Sequence, residues 1–259
     1  MGGAGKTAQL GEVYMVNATK GDAAMPDKIQ SLLKNLQAFR AAAGVFNPWR
    51  DYDADYDMDR NSPRIRAAQL EQYLRERSAG VRYILIAEAV GYQGGKFSGI
   101  ALTSERMLLD QHQQVPGALI IKTGGLRTSN PNHPDLDRAQ KMKGFAEPTA
   151  TMVWGEIAAR ADGGGISPFE VVLWNIFPFH PYHGARGRLT NRTPGPAELE
   201  IGLEYARKLM ALHPRAAVIA IGRSAARTLE THHIQHRHVT HPSNGGANKF
   251  REEIRNIWR

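Results

Sequence analysis

Three short apolar runs constrain the fold of this chain more than any other feature: VRYILIAEAV (81–90), FEVVLWNIF (169–177) and AAVIAIG (216–222). Each is rich in β-branched residues and too short for a helix that could bury itself. None alternates apolar with polar, as a strand with one wet face does. Strands covered on both faces read this way, and they belong to parallel sheets whose crossovers are helices. Helical periodicity fills the intervals, in SERMLLDQHQQ, TATMVWGEIAARAD, PAELEIGLEYARKLMALH and RSAARTLETHH. A fourth, weaker strand is HRHVTH (236–241), and a charged amphipathic helix follows it. The pattern predicts an α/β chain, a three-layer αβα sandwich with a central, mainly parallel sheet of about four strands.

Upstream, PDKIQSLLKNLQAFRAAAG and SPRIRAAQLEQYLRERSAG each open at a proline and close at a glycine, as helices do. Residues 1–80 are therefore expected to be a helical extension packed on a core of residues 81–259, one compact domain overall. Between the two helices, DYDADYDMD (51–59) is expected to be a solvated acidic loop. The N-terminal stretch MGGAGKTAQLGEVYMV has no apolar h-region, and no segment nears the roughly 18 apolar residues of a membrane helix. A soluble, cytoplasmic monomer is expected, with no membrane partner. GGAGKT lacks both the upstream glycine and the preceding strand of a phosphate-binding P-loop.

The chain has no cysteine, which excludes disulfides, thiolate zinc sites, a cysteine nucleophile and a cysteine-ligated iron–sulfur cluster. Lys and Arg outnumber Asp and Glu by 33 to 25, a formal charge of +8. Arg186, Arg188, Arg192, Arg207, Lys208, Arg215, Arg223 and Arg227 crowd the later half. A polyanionic partner fits this bias, and so does a generically basic protein.

In a parallel sheet the ligand lies beyond the carboxyl ends of the strands. That rule selects four loops. The first, AEAVGYQGGKFSGIALTSE, is glycine-rich and carries Glu88 at the strand tip. The second opens at Asn175, whose amide and carbonyl could read a base edge or cap a turn. It continues through Phe177, Phe179 and Tyr182, which could line a slot or belong to the core. The third follows Gly222. The fourth, HVTHPSNGGANKF, sets His241 before a proline, a hydroxyl and two glycines. His236, His238 and His241 would be scattered by strand alternation, so no metal site is expected.

Together these loops resemble the uracil-DNA glycosylase superfamily. His241-Pro242-Ser243 matches its second motif literally, and EAVGYQGGKFSGIALT keeps the spacing of its first, with Gly99 to Thr103 over the motif's ending. AEAVG resembles the Gly-Glu-Ala-Pro-Gly turn of the superfamily's iron–sulfur branch. Asn175 falls at its uracil-reading asparagine, and AIGRSAA resembles its phosphate-holding turn. The resemblance spans roughly Val81 to Phe250. It implies a DNA repair glycosylase that everts uracil and hydrolyses the N-glycosidic bond, needing no cofactor.

Under that resemblance His241 and Glu88 are the catalytic candidates. Asn175, Ala89, Gly91, Tyr92 and Leu102 would form the uracil pocket. Ser243, Asn244, Gly245, Gly246, Arg186, Arg188, Arg223, Ser224 and Lys249 would bind DNA. Several positions depart from the pattern. Ala89 stands where the best-known branch has its water-activating aspartate, Leu102 where a phenylalanine stacks on uracil, and Gly91 where a tyrosine excludes the thymine methyl. Asn244-Gly245-Gly246 replaces the Pro-Leu-Ser wedge. Alternatives are a glycosylase for hypoxanthine or mismatched thymine, a lesion-binding protein with weakened catalysis, and a nucleoside hydrolase.

Overall fold

The computed structural model describes residues 20–258. The GGAGKT segment and the rest of the N-terminal stretch lie outside the described residues. In chain order the elements begin with α1 (Lys20–Ala38), β1 (Val45–Phe46), α2 (Ser62–Arg75) and β2 (Tyr83–Ala89). The short helices α3 (Gly95–Ser98), α4 (Glu105–Leu108) and α5 (Arg138–Lys143) precede α6 (Pro148–Asp162). Then come β3 (Val171–Phe177), β4 (His180–Pro181), α7 (Pro196–Leu212), β5 (Ala217–Ile221), α8 (Arg223–Thr231), β6 (Arg237–Val239) and α9 (Ala247–Ile257).

Among the described residues, the main sheet is four-stranded and wholly parallel, in the order β3-β2-β5-β6. All seven residues of β3 are buried, as are Ile84 to Ala87 of β2, so both faces are covered by helices. The fold is thus the α/β sandwich that the apolar runs imply, and all four runs became its strands. Ala87 pairs with Asn175 and Ala89 with Phe177, while Ile221 pairs with Val239. Side chains alternate along a strand, so Asn175 shares its face with Ala87 and Ala89, and Glu88 leaves from the other.

Ile29, Leu32, Leu33 and Leu36 of α1 belong to the same buried cluster as Ile84, Leu85 and Trp174 of the sheet. Burying a leucine of this kind contributes about 1.5–3 kcal/mol, so α1 is part of what holds the sheet. Trp49, between β1 and α2, donates its indole N–H to Gly99 O at 3.0 Å and lies parallel to Trp174 at 6.5 Å.

Two local expectations need correction. The acidic run 51–59 is not a solvated loop, because Asp53 and Asp57 are buried. Asp57 takes a bidentate pair from Arg66, at 2.6 and 3.0 Å, and Asp53 lies 2.9 Å from Lys96 and 3.0 Å from Arg188. Buried cations contributed from distant segments need counter-charges, and the run supplies them. Helical periodicity in SERMLLDQHQQ yields only Glu105–Leu108. Asp110 turns left-handed at φ 57°, and its carboxylate accepts the Gly117 N–H instead.

Candidate active site at the carboxyl edge of the sheet

The strands deliver four loops to one edge. His241 lies two residues beyond β6, and its ring packs on the bare Cα of Gly222. A Cβ there would come within 3.1 Å of the histidine Cβ. Gly222 has φ 86°, in the left-handed region that favours glycine, and starts α8 while its N–H bonds Val239 O. The same residue thus ties β5 to β6 and makes room for the imidazole.

The histidine's tautomer is fixed locally. Ser243 donates its backbone N–H to Nδ1 at 3.2 Å, and its hydroxyl lies 2.7 Å from the same nitrogen. Nδ1 is therefore the acceptor, and a neutral ring carries its proton on Nε2. Burial lowers the pKa of His241 below its ordinary value, and the Glu88 carboxylate within electrostatic reach opposes that shift without reversing it. At neutral pH the group is an uncharged N–H donor, with no hydrogen bond engaging Nε2 among the described residues.

Asn175 is buried, and its Oδ1 has no hydrogen-bond partner. Leaving such an acceptor unpaired costs about 1–3 kcal/mol, so the exception calls for a reason. It lies on the face of Ala89, next to the strand end.

The turn after β2 runs Val90 to Gly94 and closes by a Gly94 N–H bond to Gly91 O. Tyr92 is half-buried, edge-on to Phe145, and donates its backbone N–H to Asn191 Oδ1 at 3.0 Å. Leu102 sits in the core with φ 50° and 4% exposure. Ala89 and Gly91 are half-buried at the edge.

The basic and wedge candidates divide. Arg186, Arg223 and Lys249 are exposed, and Ser224 is half-buried in the first turn of α8. Asn244 and Gly245 are exposed and both left-handed, at φ 53° and 82°, forming a projecting tip. Gly246 folds beneath it against the His241 carbonyl, where a Cβ would overlap the oxygen. Arg188 differs: its guanidinium turns inward to Asp53 and lies over the Phe46 ring. Phe177 and Phe179 are core, with Phe39 stacked on Phe179 at 4.1 Å.

Three residues beneath the edge escape sequence reasoning. Lys96 is fully buried, its pKa pushed down to about 8 by burial against the opposing pull of Asp53. Burial pushes Asp53 up, but Lys96 and Arg188 outweigh it and hold the carboxyl below its ordinary range. The third is Glu147, the residue before Pro148 of α6, whose carboxyl lies against Gly91 and Gly94. An acid before a helix-opening proline reads as a cap, yet it makes no side-chain capping bond. No signal in the sequence distinguishes it.

Among the described residues no group of three or more His, Asp or Glu side chains could hold a metal ion, and no helix is long and apolar enough to cross a membrane. A cleft of about 870 Å³ opens at the opposite, amino edge of the sheet, lined by His213, Pro214, Ala216 and Arg237.

A parallel four-stranded sheet under helices, with its loops gathered at the carboxyl edge, is the α/β architecture of this chain. The chain is similar to the crystal structure of wild-type SMUG2 from Pedobacter heparinus. The TM-score is 0.55 at 15% identity, covering 90% of this chain and 96% of that one, and the likeness is one of fold. No protein-family model matches the chain, and neither does any curated protein.

Proposed function

We propose that the chain is a DNA glycosylase that everts uracil from DNA and hydrolyses its N-glycosidic bond, leaving an abasic site. The observation that carries this reading is the presence, at the same sheet edge, of a neutral Nε2–H donor on His241 and a buried Asn175 carboxamide oxygen with no partner among the described residues. An everted pyrimidine offers an oxygen to the first and an N–H to the second. SMUG2's membership of the superfamily supports the same class.

When the bond from C1′ to the base nitrogen breaks, its electrons move onto the base and the sugar becomes oxocarbenium-like. His241 would donate to the oxygen on which the negative charge collects. One preorganised donor of that kind contributes on the order of 3 kcal/mol to the rate. Water then adds to C1′. Ala89 carries no base to activate it, so Glu88 takes the role of orienting water or steadying the cationic sugar. Eversion costs a few kcal/mol in pairing and stacking. The exposed Arg186, Arg223 and Lys249, with Ser224 at the α8 N-terminus, would hold the phosphates, while the Asn244–Gly245 tip enters the vacated stack.

Incubation with single- and double-stranded DNA carrying one uracil tests the reading. Uracil release is expected, with His241→Ala slower by about 100-fold or more. Near-normal release by that variant would refute the role of His241, and no release from either substrate would refute the function.

A further inference from the structure

We infer that Glu147, as a neutral carboxylic acid, is a base-reading residue that donates a hydrogen bond to a carbonyl of the everted base. The inference rests on the proposed glycosylase function and adds to it a specificity group that no motif marks.

The placement comes first. The Gly91 turn directly follows Ala89 at the edge where Asn175 and His241 stand. Gly91 has no side chain, and the position its Cβ would take lies 3.5 Å from Glu147 Oε1 and 3.7 Å from the Asn191 amide. Residue 91 therefore places no side chain between the carboxyl and the edge, where any larger residue would meet it. On its other side it is clamped, since a Cβ on Gly94 would overlap Oε2. That oxygen is buried and bonded to nothing. Two glycines thus face the carboxyl, and among the described residues no cation or donor satisfies it. As a structural group it only costs stability. As a ligand-facing group it has a use.

Protonation follows from the surroundings. Burial alone pushes the Glu147 carboxyl up to about 7. The ionisable groups on the elements packed around it are already engaged or neutral. On the turn side Lys96 pairs with Asp53, and Tyr92 is a phenol packed on Phe145. On the 188–192 segment Arg188 pairs with Asp53, and Arg192 grips Glu198. His180 lies between Val90 O and Arg188 O, and burial holds it neutral at about 4. On α6 the neighbouring Thr151 hydroxyl bonds the Glu147 backbone carbonyl, not its carboxyl.

A neutral acid can donate to a carbonyl of uracil, and once ionised it can only accept. Ionised, the same group would repel the electron pair arriving on the departing base. Uracil excision should therefore fall as pH rises through about 7. His241 is neutral above its lowered pKa, so the active window lies between the two titrations.

The test is single-turnover uracil excision from a single-stranded oligonucleotide between pH 5.5 and 9. The wild-type rate should drop about tenfold per pH unit above 7, leaving it about 30-fold down at pH 8.5. Glu147→Gln keeps a donor that does not titrate, so its rate should stay within about threefold from pH 6.5 to 8.5. Glu147→Leu suits the buried setting but donates nothing. It should be equally flat in pH and slower by about tenfold at pH 6.5. An alkaline fall that persists in Glu147→Gln, or its absence from the wild type, overturns the role while leaving the glycosylase intact. No excision by any of the three proteins at any pH overturns the function, and this role with it.

Discussion

Replacing Asp53 with asparagine tests how the acidic run supports the site, because Asp53 joins three segments distant in sequence. Its carboxylate meets Lys96 at 2.9 Å and Arg188 at 3.0 Å. Breaking a buried pair costs about 3–5 kcal/mol when the remaining charge has to stay. Arg188 is about a third exposed and can turn to water, so its share is at most about 1 kcal/mol. Lys96 is fully buried and cannot turn, but it can shed its proton. In the wild type it titrates at about 8. Deprotonating it at pH 7 therefore costs about 1.4 kcal/mol, one factor of ten. The same escape costs about 4 kcal/mol at pH 5 and nothing at pH 9. Asp53→Asn should thus destabilise by about 2–3 kcal/mol at pH 7, by about 4 or more at pH 5, and by no more than about 1 at pH 9. The sign follows from a cation left unpaired: its penalty is largest where it is protonated and is lost as pH rises through 8. Urea unfolding across that range measures it, with Asp53→Asn/Lys96→Met as the closing corner of a double-mutant cycle. A penalty that does not change with pH, or a double variant as unstable as Asp53→Asn, would show that Lys96 is not what Asp53 neutralises.

Asn175→Leu removes the unpartnered acceptor and suits its buried surroundings. It should leave stability unchanged or raise it by about 1 kcal/mol while abolishing uracil release; a clear loss of stability would mean that the carboxamide is already satisfied. His213 is buried at the amino edge with Nε2 unpartnered, and burial pushes its pKa down to about 4. Its contribution is fully present above pH 6.5 and is lost as pH falls through 4, up to about 3 kcal/mol. His213→Phe should flatten the acid limb of a stability–pH curve by that amount, and an unchanged limb would refute the assignment.

How much of this was legible follows from what each signal reports. Apolar runs report burial on two faces, and all four strands and their parallel arrangement came from them. Loop order assigns Asn175, Glu88 and His241 to loops at the carboxyl edge. Pairing across the chain is another matter. Nothing local to DYDADYDMD says that Lys96 and Arg66 lie buried behind it, and composition alone favours a wet loop. The same blindness hides the partner of Arg188. A guanidinium in a glycine-broken basic stretch reads as a DNA ligand, and only the fold brings Asp53 to it. Glu147 is the extreme case. Its character comes from two glycines more than fifty residues upstream, and from the lack of any charge beside it.

The site is built from polar groups deprived of partners, and that deprivation is what suits it to a neutral, hydrogen-bonding ligand. An ionised Glu147 would repel the charge that arrives on a departing base, which works against the bond breaking. Burial favours the neutral form of both His241 and Glu147, the first titrating below its ordinary value and the second pushed up to about 7. Under the proposed function, each would donate through an N–H or O–H whose bond strengthens as charge moves onto the base. The cost is borne by the scaffold beneath. Unsatisfied atoms on Asn175 and Glu147 weaken the edge, and the buried Asp53–Lys96 and Asp57–Arg66 pairs fix the segments around it. A chain that needed this sheet only as a rigid surface would gain by filling both places with leucine.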